Sequence, residues 1–217
     1  MALRGGFSLS LALAYGTLSS SSAWAIWATR DFLLAPFGFA MYLLNGILGL
    51  VAYGMEDNTR VHRIHKAVLL SGLSLSLPLF SSQLYLDQQN ISETGPSRNL
   101  VCQVKDESNG GNKIADEADY VPSLSLLLSI HLAPLLAQVT LVRHLSPRPF
   151  HTVYLASLAY ASWERGYYYG LSTAASLLIA IYLIGPFGMV YSVPCRVLFN
   201  FALSFSVYFL VQMFRGH

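Results

Sequence analysis

Charge is what this sequence has least of. Only 11% of its 217 residues are Asp, Glu, Lys or Arg, against about 25% in soluble domains. A soluble protein of this size could not cover its surface with so few charges. The formal net charge is only +2, which argues against a nucleic-acid partner. Cysteine is scarce as well. Cys102 and Cys195 form no C-x-x-C, so thiol–disulfide exchange and a cysteine-rich zinc site lack support. The chain also has no G-x-S-x-G, no H-E-x-x-H, no Walker-type loop and no paired intramembrane carboxylates. An enzyme reading therefore has no motif to stand on, and no cofactor is expected.

What the chain has is apolar length, with 54% hydrophobic residues. A helix needs about 20 apolar residues to cross roughly 30 Å of hydrocarbon. Runs of that kind occupy 7–27, 33–54, 67–86, 121–142, 171–190 and 197–214, and a shorter one covers 149–165. Backbone groups in lipid must be satisfied within the segment, so each run is predicted to be helical. Ser and Leu alternate at 8–13, 74–79 and 123–128. These alternations are too brief, and too deep inside long apolar runs, for a transmembrane barrel. The expected fold is all-α: a polytopic transmembrane helical bundle, a single membrane domain over 1–217, with one polar outer loop.

The loops set the orientation. Arg60, Arg63 and Lys66 lie between the second and third runs, and Arg143 and Arg148 follow the fourth. Lys and Arg in short loops stay on the cytoplasmic side, and an even number of crossings separates these two. The polar stretch 87–120 then lies on the lumenal or extracellular side of an endomembrane or the plasma membrane. It is rich in Asp and Glu, holds Gly110-Gly111, and is expected to be flexible. It also contains the sequon Asn90-Ile91-Ser92, which makes Asn90 a candidate glycosylation site. The N-terminus has the three parts of a signal peptide, with Ala23-Trp24-Ala25 as the small-residue site. Its length equally suits a retained first helix, which is the reading adopted.

Residues 151–184 are too many for one crossing and few for two. In a seven-helix bundle, 149–165 crosses, the chain turns at Glu164-Arg165-Gly166, and the next helix returns. In the six-helix alternative, 149–165 lies along the cytoplasmic interface. An interfacial helix should carry a wide polar face, which V-Y-L-A-S-L-A-Y-A-S-W lacks. Trp163 and Tyr167–Tyr169 also suit a turn at the membrane edge. Seven is preferred. It puts Cys102 and Cys195 on opposite faces, whereas six puts both outside, where they would be free to pair.

Polar groups inside the spans are the site candidates. His131 is an ionisable group in a span; Gln138 shares its helical face, and Pro134 frees backbone carbonyls nearby. Asn45 stands in a stripe with Gly38, Gly46 and Gly49, where small residues favour close helix packing. Asn200 and Ser204 are four apart on the last span and placed to bond a neighbour. Glu164 and Arg165 are adjacent, so on a helix they diverge and each needs a separate partner or water. They form a candidate charged turn at the interface. The histidines of His62-Arg63-Ile64-His65-Lys66 have a metal-compatible spacing, but the flanking positive charge favours a loop facing lipid headgroups.

Three functions fit. The preferred one is a non-enzymatic helix-packing protein, accessory or assembly, whose partners are the bilayer and other membrane proteins. The alternative is a small transporter or channel with a polar path near His131, although the scattered prolines show no inverted repeat. The third is a lipid-modifying enzyme using His131 or Glu164 as acid or base.

Overall fold

A computed structural model describes residues 9–54, 59–93, 148–190 and 193–216, with side chains over most of them. The described chain is helical almost throughout. α1 is Leu9–Ala28, α2 Ala35–Gly54, α3 Thr59–Glu93 and α4 Arg148–Glu164. α5, Tyr168–Leu178, runs on as a π-helical stretch over Ile179–Ile184. A two-stranded ribbon follows, β1 Met189–Val190 and β2 Val193–Pro194, and α6 is Cys195–Arg215.

Among the described residues, three stretches are long and apolar enough to cross a membrane: Ala35–Tyr53, Thr59–Leu86 and Cys195–Arg215. Tyr168–Ile184 is a shorter apolar helix. Large apolar side chains stand exposed on all six helices, among them Trp27, Phe37, Ile64, Val153, Leu183 and Phe205. Such a surface is compatible with a membrane protein.

Each helix packs on its neighbour in the series α1 to α6, and α6 closes back onto α1. The ring is filled with aromatic side chains. Phe80 lies 4.8 Å from Phe39, 5.9 Å from Tyr42 and 6.5 Å from Phe214, ring centre to ring centre. In lipid there is no hydrophobic drive between helices, so close packing has to hold them together. The glycine stripe of α2 supplies it. A Cβ on Gly46 would strike Ser19, one on Gly49 would enter the Tyr15 ring, and one on Gly38 would meet Phe80.

Side-chain contacts fix the direction of each helix. Going up α3, Ser74 meets His151 and Tyr85 meets Ser157, so α4 runs parallel to α3. α6 runs parallel to α1, with Trp24 stacked on Tyr208 and Phe32 against Phe214. α2 and α5 run the other way. The chain therefore leaves α3 at one end of the bundle and enters α4 at the opposite end.

Several predicted boundaries move. The span expected at 67–86 is a helix that starts at Thr59 and reaches Glu93. The H-R-I-H-K segment is thus the opening of α3 and not a loop. The expected span 171–190 stops at Ile184, because Gly185 takes φ 68° and Pro186 follows with no N–H to continue the ladder. The segment 149–165 is helical as α4 and packs between α3 and α5, and the predicted turn follows it. There Tyr167 N–H donates to Ser162 O at 2.8 Å and Gly166 N–H to Trp163 O at 3.0 Å. This paired closure is a Schellman cap, with Gly166 supplying the left-handed residue at φ 66°.

Candidate functional site

A cluster of histidine and basic side chains gathers at one end of the ring, where α1, α3 and α6 begin and α2 and α5 end. The π-helical turn shapes it. Gly185 N–H reaches back to Ala180 O at 2.8 Å, and Cys195 N–H donates to Gly188 O at 3.0 Å. Between these bonds Phe187 is carried over the opening of the bundle.

Beneath it is an aromatic and cationic box. Tyr15 and Tyr53 stack at 5.7 Å. His65 stands edge-on to both, at 5.4 and 5.9 Å, and His62 edge-on to Tyr53 at 5.0 Å. The Arg196 guanidinium lies 5.2 Å from the Tyr53 ring and 5.4 Å from Phe187, while the Lys66 ammonium lies 5.1 Å from Phe187. Rings that face cations in this way hold them in place without neutralising them. The cavity there, half open to the outside, measures about 440 Å³, and Arg63 also lines it. Its described walls carry no carboxylate. The ion pair described in the chain, Arg30–Asp31 at 3.8 Å, is exposed at the opposite end.

A second cavity, about 370 Å³, shares Phe187 with the first and is lined mainly by apolar residues such as Leu70, Leu73, Ile181 and Phe199. His151 enters it from α4. Its Nε2 is 3.2 Å from Ser74 Oγ, and its Nδ1 is buried without a partner among the described residues. Pro78, four residues beyond Ser74, has no N–H to offer the Ser74 carbonyl, which loosens the helix ladder at that point.

The structure treats the predicted site residues differently. Asn45 and Asn200 are both buried, and neither side-chain amide has a hydrogen-bond partner among the described residues. Asn200 lies beside the Tyr15 hydroxyl, next to the aromatic box. Ser204 bonds back to Asn200 O at 2.8 Å within its own helix, so it does not reach a neighbour as expected. Glu164 and Arg165 lie at the other end of the bundle and go to separate partners. Glu164 accepts from Tyr160, and Arg165 Nη2 donates to Leu84 O at 2.7 Å, tying the hairpin to α3. Gln83, from the same turn, caps the start of α2 by accepting from Leu34 N–H at 2.8 Å. His131, Gln138 and Cys102 lie outside the described residues, as do the side chain of Asn90 and most of the 87–120 loop. Cys195 is a buried free thiol.

The basic cavity was missed by sequence reasoning. Its signal was present: on a helix His65 and Lys66 stand three and four residues after His62, on the same face, with Lys66 three after Arg63. Reading 59–66 as a loop hid that face. Arg196, more than a hundred residues later in the chain, is brought to it only by the fold.

The fold and this site describe a helical bundle with apolar helices compatible with a membrane protein. No protein-family description, curated protein or solved structure matches the chain.

Proposed function

We propose that the chain is a multi-pass integral membrane protein with seven crossings, acting as a non-enzymatic accessory or assembly protein that associates laterally with other membrane proteins. The observation that carries the crossing number is the parallel course of α3 and α4. Two parallel neighbours require the chain between them to return along the bundle, and residues 94–147 include the apolar span 121–142. The sequence puts Arg60, Arg63 and Lys66 at the end where α3 begins, and the charge rule makes that end cytoplasmic. The 87–120 loop is then lumenal or extracellular, with Asn90 open to glycosylation.

Association is favoured over transport by the centre of the ring, which the described residues fill with Phe39, Phe80, Phe214 and Leu77. The reading is tested by native electrophoresis of mildly solubilised membranes. A discrete assembly well above the 23.9 kDa chain, reproducible between detergents, supports it. A monomer in every detergent, together with solute flux in reconstituted vesicles, refutes it.

A transporter or channel is the second reading, favoured by the unpartnered amides of Asn45 and Asn200. In that case His131 and Gln138 supply the remaining polar lining of the path, and His131→Ala abolishes flux while leaving association intact.

A further inference from the structure

The two cavities that meet at Phe187 differ in chemistry, and their pairing has the shape of a particular kind of ligand. The larger one is cationic. Arg63, Lys66 and Arg196 line it, and none of them makes an ion pair among the described residues. Arg196 Nε donates to Pro186 O at 3.3 Å, which fixes the guanidinium plane and leaves its terminal nitrogens for another acceptor. His65, only 3% exposed, lines the same cavity and buries an Nε2 with no partner among the described residues. A buried polar atom left unsatisfied is costly, and an anionic oxygen in the cavity would satisfy it. Among the described residues, the cavity lining holds three cations and no carboxylate.

The neighbouring cavity holds no cation: Leu70, Leu73, Ile181 and Phe199 line it, with His151 and Tyr182 as its polar side chains. Of its lining residues Leu70 is 37% exposed and Phe187 44%, so the cavity opens onto apolar surface. A soluble anion needs only the first cavity. An amphiphile with an anionic head and an apolar tail uses both.

We propose that the paired cavities around Phe187 bind a phosphate-bearing anionic lipid, with its phosphate against Arg63, Lys66, Arg196 and His65 and a length of acyl chain along the Leu70–Ile181 cavity. Arginine forks and a lysine point charge are the ordinary recognition set for phosphate, and basic pockets between membrane helices on the cytoplasmic side suit anionic headgroups. The tyrosine and phenylalanine rings hold the cations ready, so little side-chain ordering remains when the ligand enters. The proposal rests on the membrane reading but not on the accessory role.

The test uses the purified full-length chain in a neutral detergent, with thermal unfolding and native mass spectrometry as readouts. The probes are dioleoyl phosphatidic acid, dioleoyl phosphatidylcholine and inorganic phosphate. The expected result is stabilisation and retained mass with phosphatidic acid alone. Binding should weaken roughly a hundredfold in the Arg63→Gln, Lys66→Gln, Arg196→Gln variant, from the loss of three cations at an anionic headgroup. Equal retention of phosphatidylcholine overturns the proposal, as does displacement of phosphatidic acid by an equal concentration of inorganic phosphate. Unchanged binding in the folded triple variant overturns it too. If that variant does not fold, the three probes on the wild-type chain still decide. A failure here leaves the membrane reading standing, since topology is measured separately by labelling at the two ends of the chain.

Discussion

Replacing Gly49 with Ala probes the close approach of α1 and α2 and, through it, the aromatic box. A Cβ at position 49 would enter the Tyr15 ring. Tyr15 cannot yield freely, because it stacks on Tyr53 and receives the edge of His65. Either the helices separate or the box is broken. Forcing one extra carbon into a closed packing costs about 1–3 kcal/mol. For a chain of this size that lowers the unfolding midpoint by about 2–12 °C. Gly16 is the matched control. It lies in α1, where a Cβ would meet nothing within 4 Å, and Gly→Ala at an unhindered helical site is stabilising by roughly 0.5–1 kcal/mol. The two substitutions have the same chemistry and are predicted to shift stability in opposite directions. Thermal unfolding followed by tryptophan fluorescence in one detergent gives both values. Equal midpoints for the two variants would refute the close contact between the Gly49 backbone and Tyr15.

Other outcomes follow from single contacts. Gly166→Ala forces an L-residue into the left-handed conformation at φ 66° and is expected to cost about 1–2 kcal/mol, read as a lower unfolding midpoint. Arg165→Ala removes the charged donor to Leu84 O and should cost about 1 kcal/mol; Glu164→Gln, whose partner Tyr160 is exposed, should leave the midpoint unchanged. Asn200→Leu exchanges a buried amide that has no partner among the described residues for an apolar group of similar size, and stability should hold or rise. A fall of more than about 2 kcal/mol would mean that the amide does bond across the bundle.

The helical class was legible because apolar length dominates the sequence, and the runs at 33–54 and 197–214 became α2 and α6 with small changes at their ends. The turn at Gly166 was legible too, since an acid, a base and a glycine interrupt an apolar stretch and no helix continues through a left-handed residue. The start of α3 was not. Composition separates apolar from charged segments, and Thr59–Lys66 is charged, but a helix ending at an interface carries its charged turn out of the lipid. That turn proved to be one wall of the basic cavity. The π-helical end of α5 was hidden for a related reason: Ile179–Ile184 is as apolar as any span, and the irregular ladder depends on Gly185 and Pro186 beyond it. His151 passed as an ordinary residue near the start of the short 149–165 segment. Its meeting with Ser74 depends on α4 lying parallel to α3, a relation between segments far apart in the chain that no local pattern encodes.

The central claim is an odd number of crossings, and it is tested most directly by which side of the membrane the two ends of the bundle occupy. Thr59 and Gly216 are both exposed, one where α3 begins and the other just after α6 ends. In a chain carrying Cys102→Ser and Cys195→Ser, single cysteines are placed as Thr59→Cys or Gly216→Cys and treated with a membrane-impermeant maleimide from each side of the membrane in turn. Seven crossings predict labelling at 59 from the cytoplasmic side and at 216 from the opposite side. Labelling of both positions from the same side would contradict the account.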